Sequence, residues 1–282
     1  MKQADLDSQL EGLFRSRPEL RLALPYLKSA SDAAQLALAG IERQWIEAVY
    51  AIGDDAVAAS KMRWWADELV AARDGHTHHP LATALFAGAH AREIAPGQWR
   101  AAIEAGIALR ERPPARDFAE QLAAAETFHG ALARLETDMC FGSGAEPARA
   151  ARVATLAHLL SALVRVARPG VDNDVLPMQR LARHALDRAS LARDSAARRQ
   201  AVIAQLRDLQ KGFAAAMSLD GPLSLARELS LHADRAQLAQ ALKSASPLDM
   251  LASPRHRLGP AMAWKAWRAG RRHRHAVNGH PA

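Results

Sequence analysis

Helical periodicity is the feature that most constrains the fold of this chain of 282 residues. Apolar side chains recur every three or four positions, as in Ile41, Trp45 and Val49, and this spacing places them on one face of a helix. No run of useful length alternates apolar and polar residues, as a half-buried β-strand would. The residues that favour strands are sparse beside alanine and leucine. The pattern therefore predicts an all-α protein.

The predicted helices fill most of the chain. An early helix is expected over residues 36–51, and a second carries the Trp64–Trp65 pair. Further helices are predicted over 81–90, 99–109, 118–139, 153–164, 202–217, 222–231 and 236–242. One helical domain is therefore expected over residues 1–252, followed by a separate basic, tryptophan-containing tail over 253–282.

The net positive charge of the chain comes from this tail. The chain has 37 basic and 30 acidic side chains, a net charge of +7. Seven of the bases and no acid follow Ser253, so the rest of the chain is formally neutral, which argues against nucleic acid as a partner. Trp264, Lys265, Trp267 and Arg268 suit the headgroup zone of an anionic membrane. The alternative is that the two tryptophans dock on the helical body.

The compartment is predicted from cysteine use and apolar content. A single cysteine, Cys140, excludes an intrachain disulfide and fits a reducing compartment. The first 18 residues carry acids and no apolar run, so no secretory signal is expected. The longest apolar stretch, 154–167, is shorter than the about 20 residues that a membrane span requires. A cytoplasmic protein is expected, with peripheral contact to the inner membrane face through the tail.

Two segments combine bulky apolar and basic residues in an unusual way. Residues 61–69 read KMRWWADEL, and residues 175–184 read VLPMQRLARH. In this order they resemble the squalene/phytoene synthase family, whose members join two prenyl diphosphates head to head. The resemblance implies a single-domain isoprenoid-synthase-like helical bundle with a central apolar cavity. It also implies Mg²⁺ as cofactor, held by two aspartate-rich motifs that face each other across the cavity.

The aspartate-rich motifs are reduced in this chain. Within residues 44–50, where the family carries paired aspartates, Glu47 is the only acid. At the second motif Arg165 matches the family, and Val166 stands where an aspartate is expected. The resemblance therefore implies binding of an isoprenoid diphosphate or related lipid with catalysis weakened or lost. One branch of the family also lacks the full aspartate set, and that branch acts as an assembly factor for mitochondrial respiratory complex I.

The candidate site residues fall into three groups. The resemblance implies substrate binding by the following basic and aromatic side chains: Lys61, Arg63, Trp64, Trp65 and Arg165. In an active enzyme Glu47, Asp54 and Asp55 would be the catalytic acids. Adjacent helical residues diverge by about 100° and rarely bind one metal ion together. The pair Asp54 and Asp55 therefore fits better the start of the next helix, where acids complement the dipole. Asp172 and Asp174 have the spacing of a hard-cation site or of a solvated turn.

Three functions remain open at this point. The first is a protein that binds a prenyl diphosphate or lipid-like ligand. The second is an active Mg²⁺-dependent prenyltransferase that joins two prenyl diphosphates. The third is an assembly or scaffold factor for a membrane complex, with the tail as its contact.

Overall fold

The architecture is a bundle of thirteen α-helices and four short 3₁₀ helices, with no β-strand in the described residues. The computed structural model describes residues 3–27, 30–167, 175–253 and 259–278. The α-helices are α1 Gln3–Ser16, α2 Ala30–Ala51, α3 Asp55–Arg73, α4 Pro80–Phe86, α5 Ala89–Glu93, α6 Pro96–Arg110, α7 Phe118–Phe141, α8 Ala148–Ala162, α9 Met178–Arg183, α10 Ala196–Ala216, α11 Leu225–Lys243, α12 Pro247–Ala252 and α13 Pro260–Asn278. The 3₁₀ helices are η1 Pro18–Leu22, η2 Leu24–Tyr26, η3 Leu163–Arg165 and η4 Ser190–Ala192. The all-α prediction is confirmed.

Local side chains set the helix boundaries. The Asp117 carboxylate accepts a hydrogen bond from the Glu120 amide at 2.9 Å and begins α7. Gly142, with φ of 86°, ends the same helix in a conformation that other residues avoid. The prediction of one continuous helix over 81–90 is wrong. The backbone is extended at Gly88, and this residue separates α4 from α5.

A second boundary prediction also differs from the structure. Residues 222–231 and 236–242 were expected to form two helices, whereas residues 225–243 form the single helix α11 and residues 222–224 precede it. Residues 232–235 contain neither glycine nor proline, so nothing in the backbone chemistry interrupts the helix there.

Two apolar cores lie on either side of α7. The first packs α2 to α6 against α7 around Trp45, Trp65 and Phe128, which are fully buried. The second packs α8, α10, α11 and α12 around Leu163 and Phe213. Burial of each such side chain contributes roughly 1.5–3 kcal/mol relative to exposure. Because α7 contributes to both cores, its central turns are held from two sides.

The C-terminal helix α13 packs against α11 and η2. Ala266 and Ala269 are buried in this contact. Gly270 lies so close to the Tyr26 ring that an added Cβ would come within 2.4 Å of its Cγ. Small residues therefore allow α13 to approach the body. In the described part of the chain, no helix combines the length and apolar character needed to cross a bilayer.

Candidate functional site

A cavity of about 650 Å³ lies between α1, η1, α2, α7, α8, α11 and α12. This volume is in the range of small-ligand pockets, about 300–1,000 Å³. Much of the lining is apolar: Leu13, Leu20, Leu38, Ala39, Ile46, Met139, Ala157, Leu160, Val164, Ala226 and Leu251. The helices thus leave a space with apolar walls that is large enough for a lipid chain.

Charged side chains also line the cavity, which distinguishes it from the apolar cavity that the sequence predicts. Five arginines contribute to the lining: Arg15, Arg17, Arg43, Arg165 and Arg227. Three acids also do: Glu42, Glu136 and Asp234. Their arrangement determines what kind of ligand the cavity can accept.

Arg227 joins two carboxylates from different helices, and we call Glu42, Glu136 and Arg227 the charged triad. Arg227 Nε donates to Glu136 Oε2 at 2.8 Å, and its Nη2 lies 3.4 Å from Glu42 Oε2. The Ser224 hydroxyl, which caps α11 by accepting from the Arg227 amide at 3.0 Å, also donates to Glu136. The cap of α11 therefore positions the triad.

Burial raises the pKa of Glu42 to about 7, against the opposing effect of Arg227 and with a further rise from Glu136. Desolvation favours the neutral carboxyl over the charged form. Glu42 is therefore partly protonated near neutral pH. With Glu42 partly protonated, its carboxyl carries less negative charge than a free carboxylate would.

The remaining arginines add positive charge to the cavity. Arg17 Nη1 donates to the Ser230 hydroxyl at 3.3 Å. Arg43 Nε is buried without a hydrogen-bond partner among the described residues, and its Nη1 lies 3.8 Å from Glu47 Oε2. A buried donor without a partner carries a free-energy cost that an anionic ligand would relieve.

Arg165 is held by a stack of three rings. Its Nη1 donates to the Tyr50 carbonyl at 3.1 Å, and its guanidinium carbon lies 5.5 Å from the centroid of the Tyr50 ring. Tyr50 in turn stacks on His158 at 4.0 Å between centroids, and its hydroxyl lies 3.1 Å from His129 Nε2. The stack therefore orients a cation at the cavity wall.

Both histidines of the stack are neutral at neutral pH. Burial, together with the positive charges of Arg227 and Arg17, lowers the pKa of His129 to about 3. Burial also lowers the pKa of His158, with additional effects from His129, Arg165 and Arg17. The positive charge of Arg17 therefore acts on both rings.

Of the residues predicted to bind substrate, Arg165 lies at the cavity, and the four on α3 do not line it. Trp65 is fully buried in the first core, where it contacts the His79 ring at 4.7 Å between centroids. Trp64 is 46% exposed. Lys61 and Arg63 lie on the same helix, away from the cavity lining. The structure therefore separates Arg165 from the basic and aromatic group on α3.

The predicted catalytic acids also lie outside the lining. Glu47 is exposed, at 3.8 Å from Arg43. Asp54 caps α3 by accepting from the Val57 amide at 3.0 Å. Asp55 accepts from Arg110 Nε at 2.9 Å. The predicted metal ligands, Asp172 and Asp174, lie outside the described residues.

The charged triad and the Tyr50–His129–His158 stack were not predicted from the sequence. A signal exists for Glu42, since it lies four residues from both Leu38 and Ile46 and so shares their inward face. Glu136 similarly lies four residues after Leu132. A charge on an apolar face indicates a buried, paired group.

The residues around the cavity do not fit the Mg²⁺ that the resemblance implies. Mg²⁺ needs free carboxylate oxygens in octahedral geometry. Glu42 and Glu136, which face each other from α2 and α7, are both bound by Arg227. In the described ranges no three histidine, cysteine or acidic side chains are grouped to hold a metal ion. The Arg227 guanidinium occupies the position between these two carboxylates that a metal ion would need.

Neither a protein-family model nor a curated protein sequence matches this chain. Among solved structures it is similar to a dehydrosqualene synthase crystallised with a ligand, at 8% sequence identity and a TM-score of 0.64. The match covers 99% of this chain and 98% of that one. The likeness shows that this chain shares an isoprenoid-synthase-like helical fold with that dehydrosqualene synthase.

Proposed function

We propose that this protein binds a prenyl diphosphate, or a lipid with a comparable anionic head, in the arginine-lined cavity without Mg²⁺-dependent turnover. One observation carries the proposal: a single cavity joins apolar walls to several arginines and contains carboxylates already paired with Arg227. A solved protein with a similar fold is a dehydrosqualene synthase, which also supports the proposal.

The arginines supply the affinity for an anionic head. Guanidinium groups present several N–H donors in a planar fork that matches phosphate oxygens. Arg43 lies 3.8 Å from the Glu47 carboxylate, whereas Arg227 is bound closely by Glu136 and also contacts Glu42. The charge of Arg43 is therefore more available to a ligand than that of Arg227, which the triad holds.

The apolar lining supplies the site for the hydrocarbon chain. Leu38 and Ile46 on α2 line the cavity together with Leu160 and Val164, which come from α8 and η3. Transfer of a lipid chain to such walls gains about 0.8 kcal/mol for each buried methylene group. A ligand that has both parts should thus bind more tightly than its head or its chain alone.

The triad disfavours turnover. Ionisation of a prenyl diphosphate needs cations that stabilise the leaving pyrophosphate, and metal ions bridged by carboxylates usually do this. The Glu42 and Glu136 carboxylates are occupied by Arg227 and so offer few free oxygens. The cavity residues are therefore suited to holding the diphosphate rather than releasing it.

Calorimetric titration with farnesyl diphosphate tests the proposal. We expect binding of similar strength with Mg²⁺ and with a chelator, and weaker binding of pyrophosphate or farnesol alone. Arg165→Gln should weaken binding by roughly 10- to 100-fold, since a hydrogen bond to a charged group contributes about 1.5–3 kcal/mol. Arg63→Gln is the matched control, because Arg63 is exposed on α3 outside the lining.

A pyrophosphate-release assay distinguishes binding from catalysis. We expect no release above the buffer rate from farnesyl or geranylgeranyl diphosphate with Mg²⁺. Robust release that Glu47→Gln, Asp54→Asn or Asp55→Asn removes would instead establish the prenyltransferase. If farnesyl diphosphate, pyrophosphate and farnesol all fail to bind in the calorimetric titration, the assembly or scaffold function would be favoured.

A further inference from the structure

The two faces of α13 differ in side-chain size and exposure: one packs against the helical body, and the other is exposed. Ala266, Ala269 and Gly270 contact the body. Trp264 and Trp267 lie on the opposite side, as 3.6 residues per turn requires, and are 55% and 44% exposed. The helix thus attaches through small residues, and its two tryptophans remain at the surface.

Each of these tryptophans is paired with an arginine one turn later. The Arg268 guanidinium carbon lies 4.7 Å from the Trp264 ring, and that of Arg271 lies 5.0 Å from the Trp267 ring. Both arginines are exposed. We call Trp264, Trp267, Arg268 and Arg271 the outer face of α13. Each cation–π contact therefore keeps a positive charge next to an exposed ring on this face of the helix.

We propose that the outer face of α13 docks this protein on an anionic lipid bilayer, with both indoles in the headgroup zone and both guanidiniums on lipid phosphates. Tryptophan prefers this zone because its ring is apolar and its N–H is polar. Basic residues are attracted to the negative potential of anionic lipids. Trp264 and Trp267 would therefore anchor the helix, and Arg268 and Arg271 would select the lipid charge.

Charge complementarity favours a membrane over other partners. Every charged side chain after Ser253 is basic, while the rest of the chain is formally neutral. A nucleic acid would need further basic groups on the body to add phosphate contacts. Each exposed ring lies beside a cation. At the boundary of a bilayer, apolar chains and anionic headgroups also lie side by side, so this boundary can accept both groups at once.

Vesicle sedimentation of the full chain tests the proposal. We expect binding to vesicles of phosphatidylcholine with phosphatidylglycerol, little binding to phosphatidylcholine alone, and weakening by salt. Arg268→Gln/Arg271→Gln should weaken binding by about tenfold or more, because each base near an anionic surface contributes about a factor of five. Arg63→Gln/Arg100→Gln removes the same charge from exposed positions on α3 and α6 and should leave binding unchanged.

The tryptophans are tested separately. Trp264→Ala/Trp267→Ala should weaken vesicle binding and remove the fluorescence quenching that brominated lipids cause. Trp64→Ala is the matched control, since Trp64 is comparably exposed on α3. Equal binding of the tail variants and the wild type would overturn the proposal. So would equal binding to neutral vesicles, or binding to duplex DNA alone. None of these results depends on ligand binding in the cavity.

Discussion

Arg227 Nε lies 2.8 Å from Oε2 of Glu136 and joins α11 to α7 across the cavity wall. The side chains are 8% and 12% exposed, so water contributes little to the solvation of either charge. The second carboxylate, Glu42, brings α2 into the same contact. Three helices are therefore connected by charges that are stable only in one another's presence.

Removal of Arg227 should destabilise the protein strongly. Arg227→Met leaves Glu42 and Glu136 buried together without the guanidinium that contacts both of them, and breaking such a pair costs about 3–5 kcal/mol. Urea denaturation measures the free energy of unfolding. The triple variant Glu42→Gln/Glu136→Gln/Arg227→Met should recover most of the loss. If it is as unstable as Arg227→Met, packing rather than charge is responsible.

Glu42 should make stability depend on pH. Its pKa is about 7 in the folded protein and 4.5 ordinarily, so between these values the folded state keeps a proton that the unfolded state has lost. Its contribution to the free energy of unfolding is therefore full below pH 4.5 and falls as pH rises to 7.

The comparison with Glu42→Gln isolates this effect. The variant lacks the downward trend, whose slope is at most about 1.4 kcal/mol per pH unit. His129 acts in the opposite direction, since its lowered pKa destabilises the fold as pH falls below 6.5. That effect is present in both proteins and cancels. Parallel stability curves for the two proteins would contradict the prediction.

The two neighbouring tryptophans on α3 should differ sharply. Trp65→Ala should cost about 3–5 kcal/mol, because it leaves a cavity in the first core. Trp64→Ala should change stability by roughly 0.5 kcal/mol or less, as surface substitutions do. Denaturation of both variants checks this, and calorimetry with farnesyl diphosphate should give wild-type affinity for Trp64→Ala. Weakened affinity would show that α3 contacts the ligand.

Docking of α13 should depend on Gly270. Gly270→Ala places a methyl group within 2.4 Å of the Tyr26 ring, so α13 should detach and exchange its amide hydrogens faster. Gly259→Ala is the matched control, because an added methyl group there meets no atom within 4 Å. Tyr26→Ala/Gly270→Ala should restore part of the protection. Unchanged exchange in Gly270→Ala would mean that the ring moves aside.

The fold was predictable because it depends on local patterns. Helix periodicity identified α7 to within two residues, and it identified α2 and α10 with starts six residues too late. Asp54 caps the start of α3, as expected for an acid at the beginning of a helix. The division at Gly88 was missed because apolar spacing continues through it.

The candidate site was less predictable because it joins distant parts of the chain. Glu42, Glu136 and Arg227 are separated by about ninety residues each, and no local pattern relates them. Arg165 was identified by resemblance to a family motif, but its orientation depends on Tyr50 and His158 from other helices. Sequence spacing specifies a helix face, whereas the meeting of three faces depends on the packing of the whole bundle.

The charged triad also restricts how this protein can evolve. If Arg227 is lost before the two glutamates change, the intermediate protein has two buried, opposed carboxylates and is unstable. A lineage that first neutralises Glu42 and Glu136 leaves a buried cation instead. We therefore expect these three positions to change as a set among descendants of a common ancestor, and to co-vary more strongly than neighbouring positions along the chain.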